Sequence, residues 1–157
     1  MLIVRTKSEK ETLDLGFKIG KNIFYPAIIA LIGELGSGKT VFARGIAKGM
    51  GIKTRIKSPS FVIINEYAAA HPLYHFDFYR LEEPGELSGL GYEEYFSSPD
   101  GVVVIEWADK IIDFLPPEYL EVRIKMEDFN LRKIILIPRG NKRYHDLVLN
   151  VKSEIKC

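Results

Sequence analysis

The fold is decided by the stretch Gly33-Glu34-Leu35-Gly36-Ser37-Gly38-Lys39-Thr40. It fits the pattern G-x-x-x-x-G-K-[ST], a glycine-rich loop that joins a buried strand to a helix. The flanking sequence agrees with this pattern. Residues 26–32 are almost entirely apolar, as in a strand that is buried on both faces, and residues 39–50 carry apolar side chains at helical spacing. The sequence therefore predicts a strand, a phosphate-binding loop and a helix, in this order.

The positions of this loop have separate chemical roles. Its glycines let successive backbone N–H groups point at phosphate oxygens, and the free N–H groups at the start of the helix favour an anion. In such loops the lysine, here Lys39, reaches the β- and γ-phosphates, and the following hydroxyl, here Thr40, is a ligand of Mg²⁺. A glycine-rich turn that binds nothing would leave both side chains unexplained. The predicted nucleotide-binding residues of the loop are Gly33, Leu35, Gly36, Ser37, Gly38, Lys39 and Thr40.

Two carboxylates follow apolar stretches elsewhere in the chain. Glu106 comes directly after four apolar residues, and Asp77 ends another candidate strand. The carboxyl ends of parallel strands are where open α/β sheets bind ligands. One carboxylate could hold Mg²⁺ while the other orients the attacking water, and the residues alone leave these two roles open. Strand-end salt bridges are the structural alternative for both.

A serine- and proline-containing segment is a candidate switch loop that senses the terminal phosphate, although a plain turn fits it equally well. It comprises Ser58, Pro59, Ser60 and Phe61. His75 is expected to be a structural histidine of the sheet rather than a catalyst.

Composition limits the class of protein. The chain has 157 residues, enough for a single domain over residues 1–157. Lys plus Arg number 22 and Asp plus Glu number 21, so the net charge of +1 gives no argument for a nucleic-acid partner. The single cysteine excludes an intramolecular disulfide. The longest apolar runs are far too short to span a membrane. We expect a cytoplasmic protein with no membrane partner.

Apolar strands alternate with helical patterns, which indicates an α/β fold with a mostly parallel central sheet and antiparallel edge strands. Besides the elements around the loop, we predict strands at residues 4–7, 61–67, 73–78, 102–106, 119–126 and 132–138. A first helix should begin at Ser8 and end near Gly20. Short helices are expected within residues 82–96 and 109–114. A closing helix should present Tyr144, Leu147, Val151 and Ile155 on one face. In residues 119–126, we expect Leu120, Val122, Ile124 and Met126 to face inward and Glu121, Arg123 and Lys125 to face outward.

Four motifs, taken together and in this order, resemble the TsaE (YjeE) family of P-loop ATPases. They are Gly33-Glu34-Leu35-Gly36-Ser37-Gly38-Lys39-Thr40, Lys57-Ser58-Pro59-Ser60-Phe61, His75-Phe76-Asp77-Phe78-Tyr79-Arg80-Leu81 and Val104-Ile105-Glu106-Trp107. The resemblance implies a three-layer sandwich of the P-loop NTPase type. It also implies a subunit that binds and hydrolyses ATP with Mg²⁺ in the synthesis of tRNA threonylcarbamoyladenosine. The group is placed on N6 of the adenosine after the anticodon, in tRNAs that read codons beginning with A.

The resemblance further implies partners and residue roles. A TsaD-type protein carries out the transfer, a TsaB-type protein assists it, and contact with tRNA is indirect, through the complex. Lys39, Asp77 and Glu106 would be catalytic, with Thr40 and Glu106 as the magnesium ligands. Two residues outside the quoted motifs, Glu9 and Arg132, would approach the nucleotide.

Three other functions remain open from the residues alone. A small-molecule kinase also uses a phosphate loop, but the chain has no arginine-rich lid. A nucleotide-gated adapter would bind ATP without needing to hydrolyse it. A GTPase is disfavoured because residues 141–144 lack the acid of the guanine-reading N-K-x-D segment.

Overall fold

Seven strands form one mixed sheet in the computed structural model of the chain, which describes residues 1–57, 64–89, 91–97 and 100–155. The candidate switch loop of Ser58, Pro59, Ser60 and Phe61 lies outside the described residues. The strands are β1 Leu2–Thr6, β2 Ala27–Gly33, β3 Ile64–Tyr67, β4 Leu73–Asp77, β5 Val102–Glu106, β6 Tyr119–Met126 and β7 Arg132–Arg139. The α-helices are α1 Glu9–Asn22, α2 Lys39–Gly49, α3 Tyr92–Ser97 and α4 Lys142–Ile155, and two 3₁₀-helices span Pro84–Gly89 and Ala108–Phe114.

The strand order is β1-β7-β6-β2-β5-β4-β3. The four central strands, β6, β2, β5 and β4, run parallel to one another, whereas β7 and β1 on one side and β3 on the other are antiparallel. This arrangement confirms the predicted α/β fold with a parallel centre and antiparallel edges. In the described part of the chain, no helix is both long and apolar enough to cross a membrane.

Both faces of the central sheet are buried, which makes three layers. Along β2, Ile29 and Leu31 belong to a core with α1, α2 and α4, while Ile28 and Ala30 belong to a second core on the opposite face. The second core is closed by α3 and the two 3₁₀-helices. This two-sided burial explains why β2 is a continuous apolar run rather than an alternating one.

Helix α1 begins as its capping pattern predicts. The Ser8 hydroxyl accepts the backbone N–H of Glu11 at 3.1 Å, and the Glu11 carboxylate accepts the N–H of Lys7 at 2.6 Å. The predicted end near Gly20 is two residues early, since α1 continues to Asn22. A Cβ atom at Gly20 would lie only 2.0 Å from the Ile46 carbonyl oxygen of α2. The glycine therefore permits close packing of two helices instead of ending one.

The predicted facing of β6 is wrong at two residues. Glu121 was expected outside but is 2% exposed; it accepts hydrogen bonds from Arg123 at 2.6 Å and from Arg139 at 3.3 Å. It pairs in register with Ala30 of the central strand, so these two arginines neutralise a carboxylate inside the sheet. Met126, expected inside, is the last residue of the strand and is 45% exposed. In α4, Ile155 is likewise exposed rather than buried.

Candidate functional site

The loop between β2 and α2 has the backbone geometry of an anion cradle. Gly38 is the N-cap of α2 with φ 111° and no side-chain cap, so the first N–H groups of the helix have no capping side chain. Gly36 also has a positive φ, of 77°. Glycine adopts such φ values without steric cost, and turns of this kind direct successive N–H groups into one concavity. The loop therefore presents backbone donors where a phosphate would bind.

Lys39 is folded over this loop. Its Nζ donates to the carbonyl oxygens of Gly33 at 2.6 Å and Glu34 at 2.8 Å, and it lies 4.1 Å from the centroid of the Trp107 ring. Burial lowers the pKa of Lys39 below its ordinary value, and the surrounding carboxylates, that of Glu106 first, oppose this shift. A phosphate would replace carbonyl oxygens with a full negative charge beside the same ammonium group.

The two sequence-predicted carboxylates lie side by side. Asp77 and Glu106 are register partners at the ends of the parallel strands β4 and β5, and Glu106 in turn pairs with Leu31, two residues before the loop begins. Neighbouring strands are about 4.8 Å apart, so the two side chains start from one edge and one face of the sheet. Asp77 accepts the backbone N–H of Tyr79 at 2.9 Å.

Glu106 is 2% exposed and connects the loop to the sheet. Its Oε1 accepts the Thr40 hydroxyl at 2.8 Å, and its Oε2 lies 2.5 Å from Nε2 of His75. His75, expected to be a structural histidine of the sheet, thus contacts a predicted site residue. Its other ring nitrogen, Nδ1, has no hydrogen-bond partner among the residues that the structure describes.

The oxygens of Thr40 and Glu106 fit Mg²⁺. They are hard ligands 2.8 Å apart beside the loop, and Mg²⁺ in nucleotide sites is usually held by one or two protein oxygens together with phosphates and water. Within the described ranges, no group of three or more His, Cys, Asp and Glu side chains is placed to hold a metal ion. A cation at this position would thus depend on these two residues and a bound phosphate.

One cavity of about 330 Å³ opens over this edge of the sheet. It is lined by the loop, Thr40, both carboxylates, Tyr79 and Trp107. Sequence reasoning missed Tyr79 as a site residue, although it lies only two residues after the strand that ends in Asp77. Trp107 has φ 59°, and among the described residues it is the one non-glycine with a positive φ. Its ring centroid lies 5.2 Å from that of Tyr79, so the two aromatics form one wall.

A second cavity of about 290 Å³ lies on the other side of the loop. Glu9 and Arg132 both line it, together with Gly36 and Gly38. Arg132 is fixed there because its Nε donates to the Ser37 carbonyl oxygen at 2.9 Å. The structure thus brings together the two candidate residues that no sequence motif joined.

Two further residues that line this cavity, Met126 and Phe129, were not anticipated as site residues. Phe129 is 83% exposed at the turn between β6 and β7. An aromatic residue in the otherwise polar segment 127–130 was the available signal. Exposed aromatic surface beside an anion cradle suits the flat face of a nucleobase.

Comparisons with known proteins give consistent results. A family model described as "Threonylcarbamoyl adenosine biosynthesis protein TsaE" matches residues 6–134. The tRNA threonylcarbamoyladenosine biosynthesis protein TsaE of Bacillus subtilis is 43% identical over 116 residues, which are 73% of this chain and 72% of the relative. The protein of the same name from a Nostoc species is 37% identical over 134 residues, 83% of this chain and 82% of the relative. The crystal structure of Bacillus subtilis YdiB matches with a TM-score of 0.78 and 35% identity, over 98% of this chain and 95% of that one.

Proposed function

The chain belongs to the TsaE family, and on this premise we propose that it binds and hydrolyses ATP in the synthesis of tRNA threonylcarbamoyladenosine. The observation that carries this proposal is the contact between Thr40 of the phosphate loop and Glu106 of the neighbouring strand, with Asp77 beside it. This is the combination that phosphoryl transfer needs: an anion cradle, oxygen ligands for a cation and a second carboxylate at the reacting end.

The two cavities suggest how the nucleotide lies. The base would occupy the 290 Å³ cavity, between Glu9 on α1 and Phe129 and Arg132 near the β6–β7 turn. The phosphates would follow the loop, so that the terminal phosphate reaches the 330 Å³ cavity. Exposed apolar surface at one end and backbone donors at the other match the two ends of ATP.

The residues of the chain then have distinct roles in hydrolysis. Lys39 would bind the β- and γ-phosphates, and Thr40 and Glu106 would hold Mg²⁺, whose charge stabilises the oxygens of the transferred group. Asp77 would orient a water molecule whose oxygen attacks the γ-phosphorus. The bond from that phosphorus to the β–γ bridging oxygen breaks, and the products are ADP and phosphate. Tyr79 and Trp107 would limit the access of bulk water to this end of the site.

We propose further that the chain acts in the cytoplasm with TsaD-type and TsaB-type proteins, and that it reaches tRNA only through their complex. Hydrolysis by the chain would let that assembly turn over repeatedly. The isolated chain is expected to hydrolyse ATP slowly. Its partner-bound form should be faster because part of the charge stabilisation would come from the complex.

The test uses the purified chain with TsaB-type and TsaD-type proteins, tRNA and Mg-ATP. Lys39→Ala should weaken ATP binding about 10- to 100-fold, as expected when a charge-assisted contact is removed. Glu106→Ala should abolish the stimulation of binding and hydrolysis by Mg²⁺. Lys152→Ala, at an exposed position of α4, is the matched control and should behave as the native chain. The absence of both nucleotide binding and any effect on tRNA modification would reject the proposal.

The same variants separate hydrolysis from simple gating. A nucleotide-gated adapter would support full multiple-turnover modification with Lys39→Ala and Glu106→Ala once the ATP concentration is high enough to saturate the weakened sites. Transfer of the γ-phosphate to a metabolite rather than to water would instead indicate a kinase.

A further inference from the structure

His75 lies in the middle of β4, is completely buried and contacts only one of the two oxygens of Glu106. Its Nε2 is 2.5 Å from Oε2, whereas Oε1 accepts the hydroxyl of Thr40 at 2.8 Å. The two carboxylate oxygens therefore have different surroundings. Oε1 faces Thr40 beside the phosphate loop, and Oε2 faces the ring of His75 on the neighbouring strand β4.

The contact assigns a hydrogen to one ring nitrogen of His75. An ionised carboxylate only accepts hydrogen bonds, so the ring donates from Nε2. Nδ1 is a buried ring nitrogen with no partner among the described residues. A phenylalanine would fill a similar volume without burying an unpaired nitrogen. What histidine adds at this position is the N–H that holds Oε2 of Glu106.

We propose that His75 is a positioning residue that restricts Glu106 to one free oxygen and thereby makes the site select Mg²⁺ over Ca²⁺. This inference rests on the proposed function, because it needs a cation beside Thr40 and Glu106. Mg²⁺ requires near-octahedral geometry with ligands at about 2.0–2.1 Å, whereas Ca²⁺ takes about 6–8 oxygens and often both oxygens of one carboxylate. With Oε2 engaged by His75, Glu106 can offer Oε1 alone.

Loss of the His75 contact would free Glu106 in two ways. The carboxylate could rotate, so that Oε1 is no longer held toward Thr40, and Oε2 would become available as a second ligand. The first change lowers the affinity for Mg²⁺, a small cation that demands fixed geometry. The second raises the affinity for Ca²⁺, a larger cation that tolerates variable geometry. The ratio of the two affinities should therefore move more than either affinity alone.

The experiment measures the affinity of the full chain for a non-hydrolysable ATP analogue by titration calorimetry, in Mg²⁺, in Ca²⁺ and in chelator. His75→Phe should lose about 10- to 100-fold of the Mg²⁺-dependent affinity, the usual effect of removing a residue that orients a metal ligand. The affinity of this variant for the analogue in Ca²⁺ should fall less than its affinity in Mg²⁺, or should rise. Its affinity for the analogue in chelator should equal that of the native chain. His75→Gln, whose amide N–H can reach Oε2, should retain most of the native preference for Mg²⁺.

Tyr74→Phe is the matched control. Tyr74 is the neighbour of His75 on β4, and its substitution removes the hydrogen bond from the Tyr74 hydroxyl to Asp100. Because this change leaves the contacts of Glu106 intact, the ratio of the Mg²⁺ and Ca²⁺ affinities should not change. A His75→Phe protein with native circular dichroism and the native ratio would overturn the inference. If that variant does not fold, His75→Gln is compared with His75→Asn, which is too short to reach Oε2, and equal ratios would overturn it.

Failure of the proposed function gives a different result. A native chain whose affinity for the analogue is the same in Mg²⁺ and in chelator would reject the cation site itself, and this inference with it. If the affinity of the native chain for the analogue depends on Mg²⁺ but His75→Phe leaves the ratio of the Mg²⁺ and Ca²⁺ affinities unchanged, only the role of His75 is rejected.

Discussion

Replacing Glu106 with glutamine should reveal an energetic coupling to His75 in the stability of the nucleotide-free protein. The carboxylate accepts the Thr40 hydroxyl through Oε1 and faces Nε2 of His75 through Oε2. Glutamine has nearly the same shape, but one of its two terminal atoms is an NH₂ donor. In one orientation the NH₂ group faces the N–H of His75. In the flipped orientation the amide oxygen accepts the His75 N–H, and the NH₂ group donates to the Thr40 hydroxyl.

The size of the effect follows from the charge of the acceptor. The flipped orientation keeps both contacts, but the hydrogen bond from His75 to a carboxylate becomes one to a neutral amide oxygen. A hydrogen bond to a charged group contributes about 1.5–3 kcal/mol, against about 0.5–1.5 kcal/mol for a neutral one. Removal of a buried negative charge offsets part of this loss. The stability of the single variant is therefore not diagnostic, and the coupling between the two sites has to be measured.

A double-mutant cycle measures that coupling. The free energies of unfolding in urea are compared for the native chain, Glu106→Gln, His75→Phe and the double variant. In the His75→Phe background no N–H donates to residue 106, so the substitution of Glu106 should be less costly there by about 1 kcal/mol or more. A coupling energy below about 0.5 kcal/mol, the size expected for independent sites, would refute the hydrogen-bond assignment.

Three further predictions address other parts of the molecule. The Tyr144 hydroxyl accepts the buried backbone N–H of Ile28 at 2.8 Å, so Tyr144→Phe should lower the free energy of unfolding by about 1–3 kcal/mol, and an unchanged urea midpoint would contradict this. Arg132→Ala should weaken ATP binding by about tenfold or more, the value of a hydrogen bond to a charged group. Arg123→Ala, on the opposite face of the sheet, is the control and should leave ATP binding unchanged. Equal losses of affinity in a calorimetric titration would exclude a specific role of Arg132. Burial lowers the pKa of Lys39, so its ammonium form is disfavoured in the folded state. The free energy of unfolding of the native chain, relative to that of Lys39→Met, should therefore rise as the pH increases from the lowered pKa of Lys39 toward 10.5. A fall over this pH range would contradict the assignment.

The sequence predicts the central part of the fold because burial there is two-sided. β2 and β5 are continuous apolar runs of strand length, and an interior strand of a parallel sheet buries such a run on both faces. The capping pattern at Ser8 is local, and local chemistry decides where that helix begins. The loop at residues 33–40 follows the same logic, since its glycines and the flanking elements are adjacent in sequence.

The errors occur where a distant part of the chain decides the outcome. Gly20 suggests a helix end from its own propensity, but the carbonyl of Ile46 on another helix sets its role. The alternating pattern of β6 predicts that Glu121 is exposed, but Arg139, from the next strand, pairs with its carboxylate and stabilises it in the buried position. Phe129 escaped notice as a site residue because nothing in its neighbourhood along the chain indicates the phosphate loop.

The position of the candidate site depends on the strand register, and the apolar core determines that register. Asp77, Glu106 and Leu31 are partners across three parallel strands, and the phosphate loop follows Leu31 within two residues. A slip of one residue would turn Glu106 to the opposite face of the sheet, away from Thr40, and would exchange the residues of β5 between the two cores. Val103 and Ile105 fill one core and Val104 the other, each fully buried. The core packing that stabilises β5 therefore also keeps the carboxylate of Glu106 against the loop.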